Sequence, residues 1–200
     1  MNSEKPRYGL VAIGTSAGGY NAICTLIRLL PGDFAVPLAI VQHRAKESEG
    51  LAGLLQDCTP LKVMEAEDKL PIEPGCVYIA PPDYHMLIDD HRFSLSTEAA
   101  VGFSRPSIDV FFESAADCFG ARLIGVVLTG ANSDGSRGLQ TIVARGGQAL
   151  VQDPATAEVA VMPASAKRAV PRARVLTLEG IVQQLQALAG STTVQERETA

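Results

Sequence analysis

The feature that most constrains this chain is an alternation of strand-length apolar runs with segments of helical period. The first run is YGLVAI at residues 8–13, and a Gly-rich turn and an amphipathic stretch at 20–30 follow it. The same order of buried strand, turn and helix recurs along most of the chain. Because parallel strands need long crossovers, this rhythm is typical of a parallel sheet with helices on both faces. We predict a doubly wound, three-layer α/β/α fold with a mainly parallel sheet.

One region departs from this rhythm. Short apolar runs at 77–80, 86–88 and 92–95 are flanked by proline or turn residues, and Asp89-Asp90 joins the last two. Such runs favour a β-hairpin, which we predict near residues 76–96 as an insertion. The remaining predicted strands are 36–41, 62–66, 123–128, 149–152 and 174–176, and the remaining predicted helices are 50–56, 107–119, 136–145, 157–170 and 178–188.

Size and charge narrow the possible classes of protein. The 200 residues suit one domain, and we predict an N-terminal arm at 1–7, one domain at 8–188 and a polar C-terminal tail at 189–200. The 17 Lys and Arg against 22 Asp and Glu give a net charge of −5, which disfavours nucleic acid as a partner. No run approaches the roughly 18 apolar residues of a membrane span, and the first ten residues are too polar for a signal peptide. We therefore expect a cytoplasmic chain with no membrane insertion.

The four cysteines, Cys24, Cys58, Cys76 and Cys118, are scattered without a C-x-x-C pair. Because neither metal-site spacing nor an exported disulfide scaffold is indicated, we expect all four to pack as small hydrophobic side chains. The sequence predicts no metal and no cofactor.

Three segments follow predicted strands and carry groups with chemistry. They are GTSAGG at 14–19, QHR at 42–44 and TGANSDG at 129–135. In open α/β sheets, ligands bind outside the carboxyl ends of the strands. We therefore expect Ser16, His43 and Asp134 to meet at one rim of the sheet.

The first segment fits G-x-S-x-G, a sharp strand-to-helix turn that exposes a serine hydroxyl. The free N–H groups of Ala17 and Gly18 would then face a developing oxyanion. The alternative is an ordinary Gly-rich helix N-terminus that binds an anion such as phosphate, or nothing. The glycine spacing and the lack of an acidic residue after the second strand disfavour a dinucleotide site, and the missing Gly-Lys-Ser/Thr excludes a P-loop.

A serine nucleophile needs an adjacent base, and His43 follows a nearly all-apolar strand. Asp134 would hold the imidazole and stabilise its protonated form, although it could also be a turn or helix-capping residue. The other histidines, His85 and His91, lie in the predicted hairpin and are both expected to be structural or exposed, with His85 the one competitor for the role of base. The order serine, histidine, aspartate differs from that of α/β-hydrolases.

Five stretches together resemble the catalytic domain of the chemotaxis protein-glutamate methylesterase family, CheB. They are AIGTSAGG, IVQHR, YIAPPDYHMLI, RPSIDVFFESAA and LTGANSDGSRGL, within residues 8 to about 188. The resemblance implies a serine hydrolase that demethylates glutamate γ-methyl esters on chemoreceptor signalling helices and releases methanol. Some members also deamidate receptor glutamines. By motif, Ser16 corresponds to the nucleophile, His43 to the base and Asp134 to the orienting acid.

Two departures from the family pattern limit how many of the family's properties can be assigned to this chain. The residue after the Thr-Gly of the last motif is often methionine in the family and is Ala131 here. We expect the backbone at Ala131 and Asn132 to contribute to the oxyanion site. Regulated members also carry an N-terminal receiver domain, whereas seven residues precede the first predicted strand here. The chain is then a stand-alone esterase or an excised domain, with a receiver protein acting in trans left open.

An acidic, helical receptor requires local positive charge on an enzyme of charge −5. Arg44, Arg105 and Arg137 lie beside the motif segments and are predicted to contact substrate, Arg105 foremost, although each could be an ordinary surface charge. Two other functions stay open: a serine esterase acting on a small soluble ester, and a catalytically silent adaptor that binds receptor helices.

Overall fold

The structure is a computed structural model that describes residues 7–48 and 50–190. These residues form nine strands and six helices. Their bounds are β1 Leu10–Thr15, α1 Gly19–Leu29, β2 Leu38–Gln42, α2 Leu51–Gln56, β3 Lys62–Glu65, β4 Cys76–Ile79, β5 His85–Asp89, β6 Arg92–Ser96, α3 Ile108–Phe119, β7 Leu123–Val127, α4 Ser136–Ala144, β8 Gln148–Gln152, α5 Val161–Ala169, β9 Arg174–Leu176 and α6 Leu178–Ala189. None of these helices is long and apolar enough to span a membrane.

Seven strands form one parallel sheet in the order β3-β4-β2-β1-β7-β8-β9. From β1 the chain adds β2 and the edge strand β3, and β4 then lies between these two. The chain next crosses to the other side of β1, where β7, β8 and β9 follow outward in order. The carboxyl ends of β1, β2 and β7 therefore surround the point where the winding direction changes. In doubly wound sheets this point is the usual binding crevice.

The sheet buries both faces, as the apolar strand sequences require. Along β1, Val11 and Ile13 pack on one side with α1, α2 and α6. Leu10 and Ala12 pack on the other side with α3, α4, α5 and the hairpin. The predicted three-layer α/β/α architecture is confirmed.

The predicted hairpin insertion is shorter than expected. Only β5 and β6 pair antiparallel, with Asp90 and His91 at the turn in left-handed conformations. The first short run, β4, instead lies between β3 and β2 in the main sheet. All four β4 residues are buried, which is typical of an interior parallel strand. The insertion therefore begins after β4, and the predicted start near residue 76 was wrong.

The expectation for the cysteines is wrong for one pair. Cys24 on α1 and Cys58, just after α2, form a disulfide. Their separation of 34 positions hides the pairing in the sequence, because two helices on the same face of the sheet bring the side chains together. Among the described residues, Cys76 and Cys118 are free thiols.

The first and last of the described elements are β1 and α6. β1 begins at Leu10, and α6 extends to Ala189, one residue past its predicted end. Helix α5 begins at Val161 rather than 157, because residues 153–160 form turns across the sheet edge. Most of the predicted arm, residues 1–6, and the predicted tail from 191 onward lie outside the described residues.

Candidate active site

The best-defined contact at the carboxyl edge joins His43 to Asp134. His43 follows β2, and its backbone N–H donates to Thr15 O over 3.1 Å. Its imidazole Nε2 lies 2.8 Å from Asp134 Oδ2. The two side chains are only 12% and 10% exposed. Two residues 91 positions apart therefore form a largely buried imidazole–carboxylate pair.

The N-terminus of α3 holds the Asp134 carboxylate. The backbone N–H groups of Ile108 and Asp109 donate to it over 2.7 and 2.9 Å, and Ser107 Oγ donates over 3.1 Å. Burial raises the pKa of Asp134, but the hydrogen bonds from His43 and from the Asp109 and Ile108 N–H groups outweigh burial, so the net pKa lies below its usual value. The carboxylate is therefore held in its charged form opposite the imidazole.

Two glycines allow α3 to come this close. A Cβ atom at Gly14 would lie 2.3 Å from Ile108 Cγ2, and one at Gly135 would lie 2.6 Å from the same atom. Gly135 also has a φ of 89°, which side chains rarely adopt. The glycines at the ends of two motif segments therefore make room for the first residue of α3, whose N–H binds Asp134.

The side chain of Asn132 binds the other ring nitrogen of His43. Asn132 Oδ1 accepts a hydrogen bond from the Asp134 N–H over 3.1 Å, so its amide nitrogen points away. That nitrogen lies 3.3 Å from His43 Nδ1. Since the amide donates, Nδ1 carries a lone pair and Nε2 carries the proton that Asp134 accepts. The lone pair of Nδ1 is the basic position of His43.

Ser16 lies next to this pair along the rim. Its N–H donates to Thr129 O over 3.0 Å, and its carbonyl accepts from the Gly19 N–H over 2.8 Å. β1 and β2 pair so that Thr15 faces Gln42, which puts the following residues, Ser16 and His43, on adjacent strand ends. No hydrogen bond joins Ser16 Oγ to His43 in the described residues. The structure thus brings His43 to Asp134 and leaves the contact between Ser16 and His43 unmade.

The predicted oxyanion donors are backbone groups around this serine. Within the described ranges, the N–H groups of Ala17, Gly18, Ala131 and Asn132 make no hydrogen bond. Gly18 has a φ of 76° and caps α1, which begins at the next residue. Two of them, the N–H groups of Ala17 and Gly18, are therefore unpaired donors directly before the N-terminus of α1.

Sequence reasoning missed how the Thr129 side chain fastens the serine turn. Thr129 Oγ1 donates to Ala17 O over 2.9 Å and accepts from the Val159 N–H over 2.9 Å. Thr15 Oγ1 donates to Thr129 O over 2.7 Å, and the Thr129 N–H donates to Gln152 Oε1. Thr129 belongs to the last sequence motif, but two of its partners, Thr15 and Ala17, lie more than 100 residues away, on β1 and in the turn that follows it.

The three arginines predicted to contact substrate are all bound by groups of this chain. Arg44 has a side chain only 6% exposed and donates to Glu65 Oε1 over 2.6 Å and to Ala80 O over 3.0 Å. The largely buried Arg44 side chain therefore links the carboxyl ends of β2, β3 and β4.

The other two arginines are more exposed. Arg105 binds Asp83 and donates to the carbonyls of Thr97 and Glu98. Arg137, whose side chain is 61% exposed, donates to Glu113 over 2.8 Å. Acidic side chains therefore already offset the positive charge that was predicted to attract an acidic receptor.

His85, the competing base, is buried between backbone groups. It is 2% exposed. Its Nδ1 accepts from the Ser107 N–H over 3.2 Å, so its Nε2–H donates to Ala99 O over 3.1 Å. His91 lies at the exposed hairpin turn, with its Nδ1 3.4 Å from Cys118 Sγ. Neither ring contacts a carboxylate, so among the three histidines only His43 has the partner that a base requires. Within residues 7–48 and 50–190, no cluster of three or more His, Cys, Asp or Glu side chains could hold a metal ion.

Comparisons with known proteins show which family the chain belongs to. The profile of the CheB methylesterase family matches residues 11–185. A putative protein-glutamate methylesterase/protein-glutamine glutaminase from Leptospira interrogans is 50% identical over 178 residues, which are 88% of this chain and 92% of that protein. The protein-glutamate methylesterase FrzG of Myxococcus xanthus is 44% identical, over 80% of this chain and 49% of its own length.

A solved structure extends the likeness to the fold. The crystal structure of the Thermotoga maritima CheB methylesterase catalytic domain matches with a TM-score of 0.86 at 32% identity, covering 90% of this chain and 98% of that one. Family profile, sequence identity and superposed fold point the same way: the chain belongs to the CheB methylesterase family.

Proposed function

We propose that this protein is a serine hydrolase that removes methyl groups from glutamate γ-methyl esters on chemoreceptor proteins and releases methanol. The observation that carries the proposal is the buried contact between His43 Nε2 and Asp134 Oδ2, one strand away from Ser16. An imidazole held by a carboxylate, with an Nδ1 lone pair that the serine hydroxyl can reach once the Asn132 amide gives way, is the base that a serine nucleophile needs. The family to which the chain belongs supplies the substrate class.

The first half of the reaction forms an acyl-enzyme. Ser16 Oγ bonds to the ester carbonyl carbon while its proton passes to His43 Nδ1, and Asp134 stabilises the resulting imidazolium. The carbonyl oxygen becomes an oxyanion, which the N–H groups of Ala17 and Gly18 can bind, together with those of Ala131 and Asn132. The His43 proton then moves to the methoxy oxygen, the bond from carbon to methoxy oxygen breaks, and methanol leaves.

Water completes the cycle. His43 takes a proton from water as the oxygen attacks the acyl carbon, and returns that proton to Ser16 Oγ when the acyl bond breaks. The products are the glutamate carboxylate and the free serine. A glutamine side chain would follow the same path with ammonia leaving in place of methanol, which is the glutaminase activity that relatives carry in their names.

The receptor contact that we propose is with the cytoplasmic helices of methyl-accepting proteins, which places the enzyme in the cytoplasm. A receiver protein acting in trans is the activator that we propose. Arg105 and Arg137 would then act on substrate only by exchanging their present carboxylate partners, Asp83 and Glu113, for receptor groups.

Methanol release from membranes carrying methylated receptor tests the proposal. Wild-type protein should release methanol, and Ser16→Ala should reduce release to the background without protein. Ser94→Ala, which removes a hydroxyl from the hairpin strand β6, is the matched control and should keep the wild-type rate. Retention of activity within about tenfold in Ser16→Ala would remove Ser16 from the role of nucleophile, since loss of such a nucleophile costs roughly 10⁶-fold.

The unmade contact between Ser16 and His43 favours one second candidate, an adaptor that binds receptor helices without turnover. Co-sedimentation of the protein with receptor membranes that yield no methanol would support the adaptor. Methanol release from the same membranes would support the hydrolase.

A further inference from the structure

A short loop beside His43 exposes apolar side chains that nothing in the described chain covers. Residues 99–103, AAVGF, are all exposed and carry no charge. Phe103 is fully exposed and Val101 is 37% exposed. Phe103 also lines a pocket of about 380 Å³ whose wall includes His43. The most exposed aromatic ring of the described chain therefore lies at the entrance to the proposed base.

The backbone of this loop presents the ring at a conformational cost. Val101 and Ser104 exchange two backbone hydrogen bonds of 3.0 and 3.1 Å, which close a two-residue turn. Gly102 and Phe103 form that turn with φ values of 57° and 64°. Glycine adopts this conformation easily, whereas phenylalanine rarely does. A residue that is both strained and solvent-exposed does not stabilise the folded monomer. Such a residue is typical of a binding site.

The base of the loop is held firmly. Arg105 clamps it by donating to the carbonyls of Thr97 and Glu98 while it binds Asp83. On the other side, the buried His85 donates to Ala99 O. These contacts fix the ends of the loop, so the exposed tip is presented from a rigid base rather than from a loose segment.

We propose that Phe103 and Val101 dock the receptor helix that carries the methylated glutamate, by packing on apolar side chains beside the ester. This inference rests on the proposed function and names how the same site recognises its partner. The occupant follows from two observations. Phe103 and His43 line the same pocket. The two arginines in the wall of that pocket, Arg44 and Arg105, already bind the carboxylates of Glu65 and Asp83, so they do not favour a charged occupant. A methylated glutamate side chain is itself uncharged, and the loop offers an uncharged, apolar contact for its surroundings.

Kinetics on two substrates test the docking role. Phe103→Ala should raise KM for methylated receptor about 10- to 30-fold, with kcat changed less than threefold, because a buried phenyl contact is lost. Its kcat/KM for p-nitrophenyl acetate, a small ester that needs no docking, should stay within twofold of wild type. Phe103→Leu, which keeps an apolar side chain, should recover most of the affinity.

The control is Leu29→Ala, which removes a 45% exposed apolar side chain at the end of α1 that points away from the carboxyl edge. It should leave KM for receptor unchanged. An unchanged receptor KM in Phe103→Ala overturns the inference while leaving the proposed function intact. Equal losses on both substrates also overturn it, because they would mean damage to the catalytic groups. If wild type itself releases no methanol, the proposed function fails and this inference fails with it.

A second copy of this chain is the competing occupant of the loop. Sedimentation velocity of wild type and Phe103→Ala should give the same mass at each concentration. A wild-type dimer that dissociates in Phe103→Ala would assign the loop to self-association and overturn receptor docking.

Discussion

His43 and His85 carry the same side chain in different surroundings, and the surroundings suit the two imidazoles to different roles. Both imidazoles carry their proton on Nε2 and accept a hydrogen bond at Nδ1. At His85 the partners are a backbone carbonyl and a backbone N–H, and the ring is 2% exposed. At His43 the partners are the Asp134 carboxylate and the Asn132 side-chain amide, and the ring is 12% exposed.

This difference decides which ring can act as a base. A proton added to Nδ1 of His85 would face the fixed N–H of Ser107, with no carboxylate to offset the charge. A proton added to Nδ1 of His43 faces a side chain that can rotate away, and Asp134 offsets the charge. Ser107 connects the surroundings of the two histidines, because its N–H binds His85 and its hydroxyl binds Asp134. His85 therefore supports the N-terminus of α3, and α3 in turn holds the acid of the proposed triad.

Exchange of the two histidines for glutamine should separate their roles most sharply. His43→Gln removes the proposed base and should lower kcat for methanol release by roughly 10⁶-fold. The measurement is single-turnover methanol release beside urea unfolding. A His43→Gln enzyme within tenfold of wild type would contradict the assignment of the base.

The next largest effect concerns the acid. Asp134→Asn keeps the shape of the side chain but removes the charge that offsets the imidazolium, and kcat should fall by roughly 10⁴-fold. Steady-state kinetics with methylated receptor provide the measurement. Asp117→Asn, which removes a 61% exposed carboxylate paired with Arg145 on the surface, is the matched control and should stay near wild type. Similar rates for Asp134→Asn and the control would show that His43 needs no carboxylate.

Asn132→Ala should have a smaller effect. The substitution frees Nδ1 of His43 and removes the hydrogen bond to the Asp134 N–H, so the imidazole loses one of its two side-chain partners. We expect kcat to fall about tenfold with KM for receptor unchanged, as for a residue that positions the base. Asn132→Asp, which retains the acceptor but not the donor, should resemble Asn132→Ala. A change confined to KM would instead indicate that Asn132 contacts substrate.

For His85 the expected change is in stability. His85→Gln leaves buried backbone partners poorly satisfied, which should cost about 1–3 kcal/mol of unfolding free energy. The folded enzyme should keep kcat within about tenfold of wild type. Urea unfolding followed by circular dichroism, with kcat measured on the folded fraction, provides both numbers. A loss of kcat in His85→Gln as large as that in His43→Gln would contradict the assignment of His43 as the base.

The smallest predicted effect is a pH dependence of stability that belongs to Asp134. Because its pKa is lowered in the folded protein, its contribution is fully present above the ordinary aspartate value of about 3.9 and is lost as pH falls through the folded pKa. Unfolding free energies at pH 7 and pH 3 should therefore differ more for wild type than for Asp134→Asn. Equal differences would show that the carboxylate contributes no such stability.

The fold class could be predicted from the sequence because the strands are continuous apolar runs and residues such as proline and glycine mark where helices end. The order of the strands was not predicted, and the error near residue 76 arose because prolines around CVYI hid a strand of the main sheet. The disulfide between Cys24 and Cys58 escaped because its pairing depends on two helices sharing one face.

Pattern reasoning predicted the location of the candidate residues but not their contacts. Ser16, His43 and Asp134 could be expected at one rim because each follows a strand that ends there. The side chain of Asn132 on His43, the hydroxyl of Ser107 on Asp134 and the inward turn of Arg44 depend on side-chain packing, which residue spacing does not encode.

Labelling with a fluorophosphonate, located by peptide mass spectrometry, tests most directly whether Ser16 is a nucleophile that His43 activates. We predict one label on Ser16 in wild type, little or no label in folded His43→Gln, and a label near the wild-type level in folded His85→Gln. A folded wild-type protein without label on Ser16, or labelling that His43→Gln leaves unchanged, would contradict the account.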